Sequence, residues 1–316
     1  MRLAFAVSGK RPAREAVEVA QLAESRGIEE VWLTEDYVER GAFAVAGSVL
    51  AATRSVTVGI GVVNPWTRHP MLTAMETGAL HELAPGRVVL GLGASNQRWM
   101  QDELGIPFVR PLRRLRESVE IIRTALAGRD IDHDGEAGHI RTRLSFSPGP
   151  VPLILGVKGP RALKLAGSVA DGVLLSVLSS PAYVRWAGEQ LAAPLRRGLA
   201  SYVAISYDRD RAAARDRIRQ FTATYLGIHG DHPITRVAGV DPQLAAAFRA
   251  GLLEARPRTD LVTDELLDTF VVAGDRDDLA TGLRRLARAG LETAVVFDAF
   301  HANLPELLAA ARRALA

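Results

Sequence analysis

Short apolar segments alternate with helical segments along this sequence, almost from the first residue to the last. Each apolar segment is short enough for one strand, and a helical pattern of apolar residues follows most of them. Because a helix joins successive strands, the strands are expected to pair in parallel and to form an α/β fold. The main strands are predicted at Leu3–Val7, Glu30–Leu33, Val56–Val63, Arg87–Leu92, Leu153–Val157, Gly172–Val177, Tyr202–Ser206 and Thr293–Phe297.

The even spacing of these eight units favours a closed (β/α)8 TIM barrel over an open doubly wound sheet, although the alternation fits both. The chain has 316 residues and no linker, so residues 1–316 are predicted to form a single domain. One segment breaks the rhythm, and a second is unusually long. Gly128–Pro150 is irregular and can hold a hairpin, and Asp208–Asp268 is mainly helical around a broken patch at Gly227–Pro242.

Composition excludes several classes of protein. The chain has no cysteine, which rules out disulfides, thiolate metal sites and cysteine nucleophiles. The net charge is only +3 and the arginines are spread over many helices, which argues against a nucleic-acid partner. No apolar run approaches the ~20 residues that cross a bilayer, so no membrane partner and a cytoplasmic location are expected. The seven histidines form no metal-binding spacing, so no metal site is predicted.

In a barrel of this kind, functional side chains lie at the carboxyl ends of the strands. That rule selects candidates without reference to any other protein. They are Ser8, Glu35, Asp36, Tyr37, Asn64, Trp66, Arg68, His69, Asn96, Gly156–Pro160, Ser176, Ser206, Asp298 and His301.

Three glycine-containing motifs require separate interpretation. Gly59 and Gly61 interrupt the third strand, which indicates a bulge or a close approach by a ligand, or simply a bend of the barrel. The segment from Gly91 to Asn96 is a broken dinucleotide motif, because asparagine replaces its last glycine, and that interpretation is rejected. Gly156–Arg161 joins a strand to a helix, so it fits either an anion-binding loop or an ordinary tight turn.

The most specific motif of the chain is Gly-Ile-Gly-Val-Val-Asn-Pro-Trp-Thr-Arg-His-Pro at residues 59–70, and supporting motifs lie at Val31–Tyr37, Ala84–Gly93 and Pro152–Gly172. Together these motifs resemble the bacterial luciferase-like proteins, and most closely their F420-dependent branch, which includes the methylenetetrahydromethanopterin reductases. The resemblance covers nearly the whole chain, and least well Tyr225–Leu261. It implies a (β/α)8 barrel with insertions that carries coenzyme F420, or alternatively FMN, at its C-terminal mouth.

The resemblance also implies roles for individual residues. Gly61 and Val62 correspond to a non-proline cis peptide that supports the central ring of the cofactor, and Asn64 corresponds to a ring contact. Ala94 and Ser95 would contact the cofactor through their backbone. The phosphate loop corresponds to Gly156, Val157, Lys158, Gly159 and Pro160, which favours the anion-binding interpretation of that turn.

The chain departs from its relatives at two places. Many relatives have Asp-His after the second strand, where this chain has Glu35 and Asp36. Asn96 stands roughly where sugar-phosphate dehydrogenases of the family have a glutamate, and asparagine cannot act as a general base. The family's luciferases and sugar-phosphate dehydrogenases are therefore disfavoured.

The expected activity is hydride transfer between F420 and a small organic substrate. Glu35 or Asp36 would transfer the proton, because burial can raise the pKa of a carboxyl group. In the alternative interpretation, Glu35 forms hydrogen bonds with the ring of the cofactor and transfers no proton. Competing functions are an FMN-dependent monooxygenase, a non-catalytic cofactor-binding protein and a metal-dependent hydrolase. By resemblance, the chain is expected to form a homodimer or homotetramer.

Overall fold

The computed structural model describes residues 1–36, 38–298 and 304–314, with only the backbone of Asp298. Tyr37 and His301 from the candidate set therefore lie outside the described residues. The strands of the described chain are β1 (Arg2–Val7), β2 (Glu30–Leu33), β3 (Thr57–Val63), β4 (Val88–Gly93), β5 (Ile131–Gly135), β6 (Gly138–Thr142), β7 (Leu153–Gly156), β8 (Gly172–Leu175), β9 (Leu199–Tyr207), β10 (Val272–Gly274) and β11 (Leu291–Asp298).

The main sheet closes on itself, which confirms the barrel and excludes the open sheet. Its strands run parallel in the order β1-β2-β3-β4-β7-β8-β9-β11, and β11 pairs again with β1. These are the eight strands that the alternation predicted. The short β10 pairs with the end of β9, at Ile205–Tyr207, and adds to the rim. The carboxyl ends of all eight barrel strands therefore meet at one mouth.

Helices surround the barrel, as the crossover pattern requires. They are α1 (Ala13–Ser25), α2 (Ala42–Ala52), α3 (Pro70–Leu83), α4 (Pro111–Leu126), α5 (Pro160–Val169), α6 (Pro181–Glu189), α7 (Arg211–His229), α8 (Pro233–Arg236), α9 (Pro242–Leu253), α10 (Asp264–Phe270), α11 (Arg276–Arg288) and α12 (Leu304–Ala314). Among the described residues, no helix is both long and apolar enough to pass through a bilayer.

The predicted boundaries of the helices and strands differ most from the observed ones at the end of α6 and at the mouth of the barrel. The periodicity extends that helix to about Leu195, but it ends at Glu189. Pro194 accounts only for the last predicted residues, because proline lacks an N–H and disfavours helical backbone at the preceding residue, Ala193. A π-helical turn at Arg98–Glu103 was not predicted at all. The irregular segment after α4 does form the expected hairpin, since β5 and β6 pair antiparallel.

The lower half of the barrel is filled around Trp32, which is only 2% exposed. Its indole Nε1 donates a hydrogen bond of 3.0 Å to Glu30, and Arg197 donates to the same carboxylate at 2.6 Å. The two glycines of β3 face this ring. A Cβ on Gly59 would lie 2.4 Å from the indole, and one on Gly61 2.6 Å. The glycines thus make space for Trp32, and the pairing of β3 with β4 also shifts register between Ile60 and Val63, as the bulge interpretation predicted.

Replacing Gly59 by alanine is therefore expected to destabilise the protein by about 1–3 kcal/mol, because the new methyl group overpacks the ring of Trp32. The matched control is Gly188→Ala in α6, where the nearest side-chain atom, from Leu199, would be 3.8 Å from the new Cβ. Denaturant unfolding of both variants measures the difference. Equal stability of the two variants would contradict the close contact between Gly59 and Trp32.

Candidate functional site

A cavity of about 380 Å³ opens at the mouth of the barrel, above Trp32. Its position agrees with the rule that placed candidate residues at the strand ends. Eight of the sequence-based candidates line it, namely Ser8, Glu35, Asp36, Gly61, Val62, Asn64, Ser95 and Ser176. Ala94 and Gly156–Pro160 are not among its lining residues. The cavity therefore brings together most of the predicted ring contacts, while the predicted phosphate loop lies beside it.

The back wall of the cavity is the end of β3. The peptide bond between Gly61 and Val62 is cis, as the resemblance implied. Tyr202, a partly buried residue of β9, donates a hydrogen bond of 2.5 Å to the carbonyl oxygen of Gly61. The side chain of Val62 packs over Gly93 and Gly156, where added Cβ atoms would lie 2.5 Å and 2.8 Å from it. These contacts hold the backbone of Gly61 and Val62 in place at the edge of the cavity.

Asn64 stabilises the turn that follows β3. Its Oδ1 accepts hydrogen bonds from the backbone N–H groups of Trp66 at 2.9 Å and of Thr67 at 3.0 Å. Its Nδ2 donates to the hydroxyl of Thr67 at 2.9 Å. The residue is buried and borders the cavity. Its predicted contact with a cofactor ring stays a prediction.

Glu35 is engaged through both carboxylate oxygens. One oxygen accepts from the Nε of Arg68 at 2.9 Å, and the other accepts from the backbone N–H of Ala42 at 2.9 Å, at the start of α2. Arg68 also pairs with Glu76 at 2.5 Å and stacks 4.7 Å from the ring centre of Phe43. Glu35 therefore connects the β2 loop to α2 and to the loop before α3.

Asp36 has a different environment, although it follows Glu35 directly. Its carboxyl group borders the cavity, and partial burial there raises its pKa. The positive charge of Lys10 and a hydrogen bond with Thr34 lower the pKa and offset part of that effect. A carboxyl group with a raised pKa in a cleft is a candidate for proton transfer.

The loop from Gly156 to Pro160 ends at the start of α5 and carries the positive charge of Lys158. No side chain caps the N-terminus of α5, and a Cβ placed on Gly159 would meet open space. Protein atoms around Lys158 lower the pKa of its ammonium group, and no neighbouring charge contributes to that shift. The Tyr183 hydroxyl holds the loop by donating to the Lys158 carbonyl at 2.6 Å. Such a loop can accept an anion.

Sequence reasoning missed an aromatic wall of the cavity, which contacts the back wall through Tyr202. Tyr202, Phe297 and Tyr225 line it, and Phe221 packs between the last two, with ring centres 4.4 Å from Tyr225 and 5.5 Å from Phe297. The predicted strand began at Tyr202 itself, so the alternation of apolar and polar residues did not indicate whether this side chain faces the inside of the barrel. Tyr225 lies on α7, in an insertion whose packing over the mouth has no sequence signal.

Other candidate side chains are used in the structure of the loops. His69 caps α3 by accepting from Met71, and the carboxamide oxygen of Asn96 accepts from the backbone of Trp99 at 3.0 Å. Neither they nor Trp66, Arg68 and Ser206 line the cavity. In the described ranges, no three histidine, aspartate or glutamate side chains cluster as metal ligands.

Comparison with known proteins identifies the family. The family model for luciferase-like monooxygenases matches residues 2–293. The chain is 33% identical over 291 residues to a 5,10-methylenetetrahydromethanopterin reductase from Archaeoglobus fulgidus, with 87% of this chain and 86% of that protein covered. It is 32% identical to the enzyme of the same name from Methanolobus tindarius, with 89% of each chain covered.

Solved structures agree. The coenzyme F420-dependent tetrahydromethanopterin reductase from Methanopyrus kandleri superposes with a TM-score of 0.79 at 22% identity, and the match covers 98% of this chain and 96% of that one. At that identity, the superposition supports the fold alone. The family model and the archaeal relatives carry the assignment further: this chain is an enzyme of the luciferase-like monooxygenase family.

Proposed function

We propose that this enzyme transfers a hydride between coenzyme F420 and a small organic substrate, both bound at the mouth of the barrel. The observation that carries the proposal is the cavity, which is lined by the Gly61–Val62 wall and by the aromatic wall and adjoins the loop that carries Lys158. Similarity over most of the chain to relatives that are named as F420-dependent enzymes supports F420 as the cofactor. A cytoplasmic location and an assembly of two or four copies stay predictions from the sequence.

The residues present fit a phosphate-bearing cofactor with a planar ring. The open space at Gly159 and the uncapped start of α5 offer backbone N–H donors, and Lys158 adds a charge that no neighbouring carboxylate offsets. When bound, F420 supplies the ring carbon that carries the hydride. Gly61 and Val62 would support the ring, and the loop would hold the phosphate.

The remaining chemistry falls to the chain's own side chains. Asp36 would hold or release the proton that accompanies the hydride, because its carboxyl group borders the cavity and has a raised pKa. Glu35 would act as a positioning residue, since Arg68 and Ala42 occupy its oxygens. The aromatic wall would exclude water from the reacting atoms.

Titration of the purified protein with F420 and, separately, with FMN tests the cofactor. We expect F420 to bind at least about tenfold more tightly than FMN, a difference of about 1.4 kcal/mol in binding free energy. Absorbance and fluorescence changes of each cofactor give the dissociation constants. Tight binding of FMN with oxygen consumption would instead support the monooxygenase alternative.

Turnover then separates an enzyme from a protein that only binds the cofactor. We expect oxidation of reduced F420 with at least one compound of a panel that begins with 5,10-methylenetetrahydromethanopterin, after the names of the two archaeal relatives. Ketones and sugar phosphates extend the panel. Tight binding of F420 without turnover of any compound would favour a cofactor-binding protein.

A further inference from the structure

A second groove, of about 500 Å³, lies between α4 and α5, and we refer to it as the α4–α5 groove. Its floor is apolar and includes Leu112 and Leu165, and Ala192 lies at one side. The segment after α6 closes that side tightly, because a Cβ on Gly167 would lie 2.6 Å from the backbone nitrogen of Ala192. The groove is separate from the cavity at the mouth, with which it shares no lining residue.

The side chains around the groove are strongly basic. Arg113, Arg116, Arg161 and Lys164 all line it, and no carboxylate does. Arg113 is partly neutralised by Glu117, whose Oε1 lies 2.8 Å from its Nε. For the other three, the described part of the chain places no carboxylate within ion-pair distance. Three uncompensated cations over an apolar floor make a site for an anionic chain that also has methylene groups.

The groove adjoins the proposed phosphate loop. Pro160 is both the last residue of that loop and the first residue of α5, and Arg161 follows it. From Arg161 the lining continues through Lys164 to Ser168, which at 1.5 Å per residue is roughly 10 Å along the helix axis. A chain attached to a phosphate at the loop would therefore enter the groove at its Arg161 end.

We propose that the α4–α5 groove binds the oligoglutamyl tail of F420, an inference that rests on the proposed function. The tail extends from the phosphate side of the coenzyme and carries a free carboxylate on each glutamate. Arg116, Arg161 and Lys164 pair with these carboxylates, while Leu112 and Leu165 pack against the methylene groups. No aromatic side chain lines the groove, so it lacks the stacking surface that single-stranded nucleic acids use.

Binding of coenzyme forms that differ only in tail length tests the inference directly. The probes are F420 without glutamates, which keeps the phosphate, and F420 with several glutamates. We expect the long-tailed form to bind the unaltered protein about tenfold more tightly at low salt, and the advantage to shrink as salt is raised. The combined variant Arg116→Ala, Arg161→Ala and Lys164→Ala is expected to bind both forms equally.

A matched control removes the same charge elsewhere. Arg14, Arg284 and Arg288 are exposed and lie outside both cavities, so their combined replacement by alanine is expected to keep the preference for the long tail. Equal binding of both forms by the unaltered protein would overturn the groove assignment and leave the proposed function standing. A preference for the long tail that persists in the combined variant Arg116→Ala, Arg161→Ala and Lys164→Ala would also overturn the groove assignment. Failure of every form to bind would instead contradict the proposed function.

Discussion

Replacement of Asp36 by asparagine is expected to lower kcat by about a hundredfold or more, because a positioned proton donor typically contributes that much to the rate. Asparagine keeps the size and polarity of the side chain but cannot donate an acidic proton. The measurement is steady-state turnover of the substrate that the panel identifies, with binding of F420 measured in parallel. We expect the dissociation constant of F420 to change far less than kcat.

The pH profile adds a signature that a merely structural role would not produce. Burial raises the pKa of Asp36, so its carboxyl group keeps the proton to higher pH than a free aspartate. In the direction that reduces the substrate, activity is present below that pKa and is lost as pH rises through it. The asparagine variant is expected to lack this fall, since it has no proton to lose at that position.

The fold should tolerate this change. A carboxyl group whose pKa is raised in the folded state binds more protons there than in the unfolded chain, so its ionisation lowers stability as pH rises. Replacement of Asp36 by asparagine is therefore not expected to lower the free energy of unfolding near neutral pH. Glu39→Gln is the matched control, because Glu39 lies near Asp36 and pairs with Lys10 but does not line the cavity. Equal loss of kcat in both variants would contradict the specific role of Asp36.

The sequence predicted the barrel well because its determinants are local. Strand length, β-branched content and helix period are properties of neighbouring residues, and parallel pairing follows from the crossovers. The third strand shows how far this extends. Gly59 and Gly61 indicate a special backbone from residue type alone, yet their main contact, the ring of Trp32, comes from a neighbouring strand and has no signal in the sequence around them.

The candidate site was predicted less completely, because it depends on long-range contacts. Glu35 and Asp36 are adjacent and chemically alike, so the sequence could not separate them. The structure separates them, although both line the cavity: Arg68, which is 33 positions away, pairs with the Glu35 carboxylate, while burial raises the pKa of Asp36. Tyr225 was missed for the same reason, because only the packing of α7 brings it to the mouth.

Replacement of Lys158 by alanine is expected to weaken binding of F420 by about tenfold to a hundredfold, the range for loss of one hydrogen bond between charged groups. The reason is that the α5 loop would lose the one side-chain charge that the proposed phosphate site contains. The probe that separates this from general damage is the phosphate-free precursor of F420, which carries only the ring and its sugar-alcohol chain. Its affinity is expected to stay the same in the variant.

The matched control for Lys158 is Arg185→Ala, which removes one positive charge from the exposed face of α6. It should leave the affinity for F420 unchanged, because Arg185 is exposed and does not line the cavity, and the hydrogen bond from α6 to the loop comes from Tyr183. Two results would contradict a phosphate contact by Lys158. One is an equal loss of affinity for F420 and for its phosphate-free precursor, which would show that the substitution weakens binding of the ring instead of the phosphate. The other is unchanged binding of F420, which would leave the backbone N–H groups of α5 to hold the phosphate without the ammonium group.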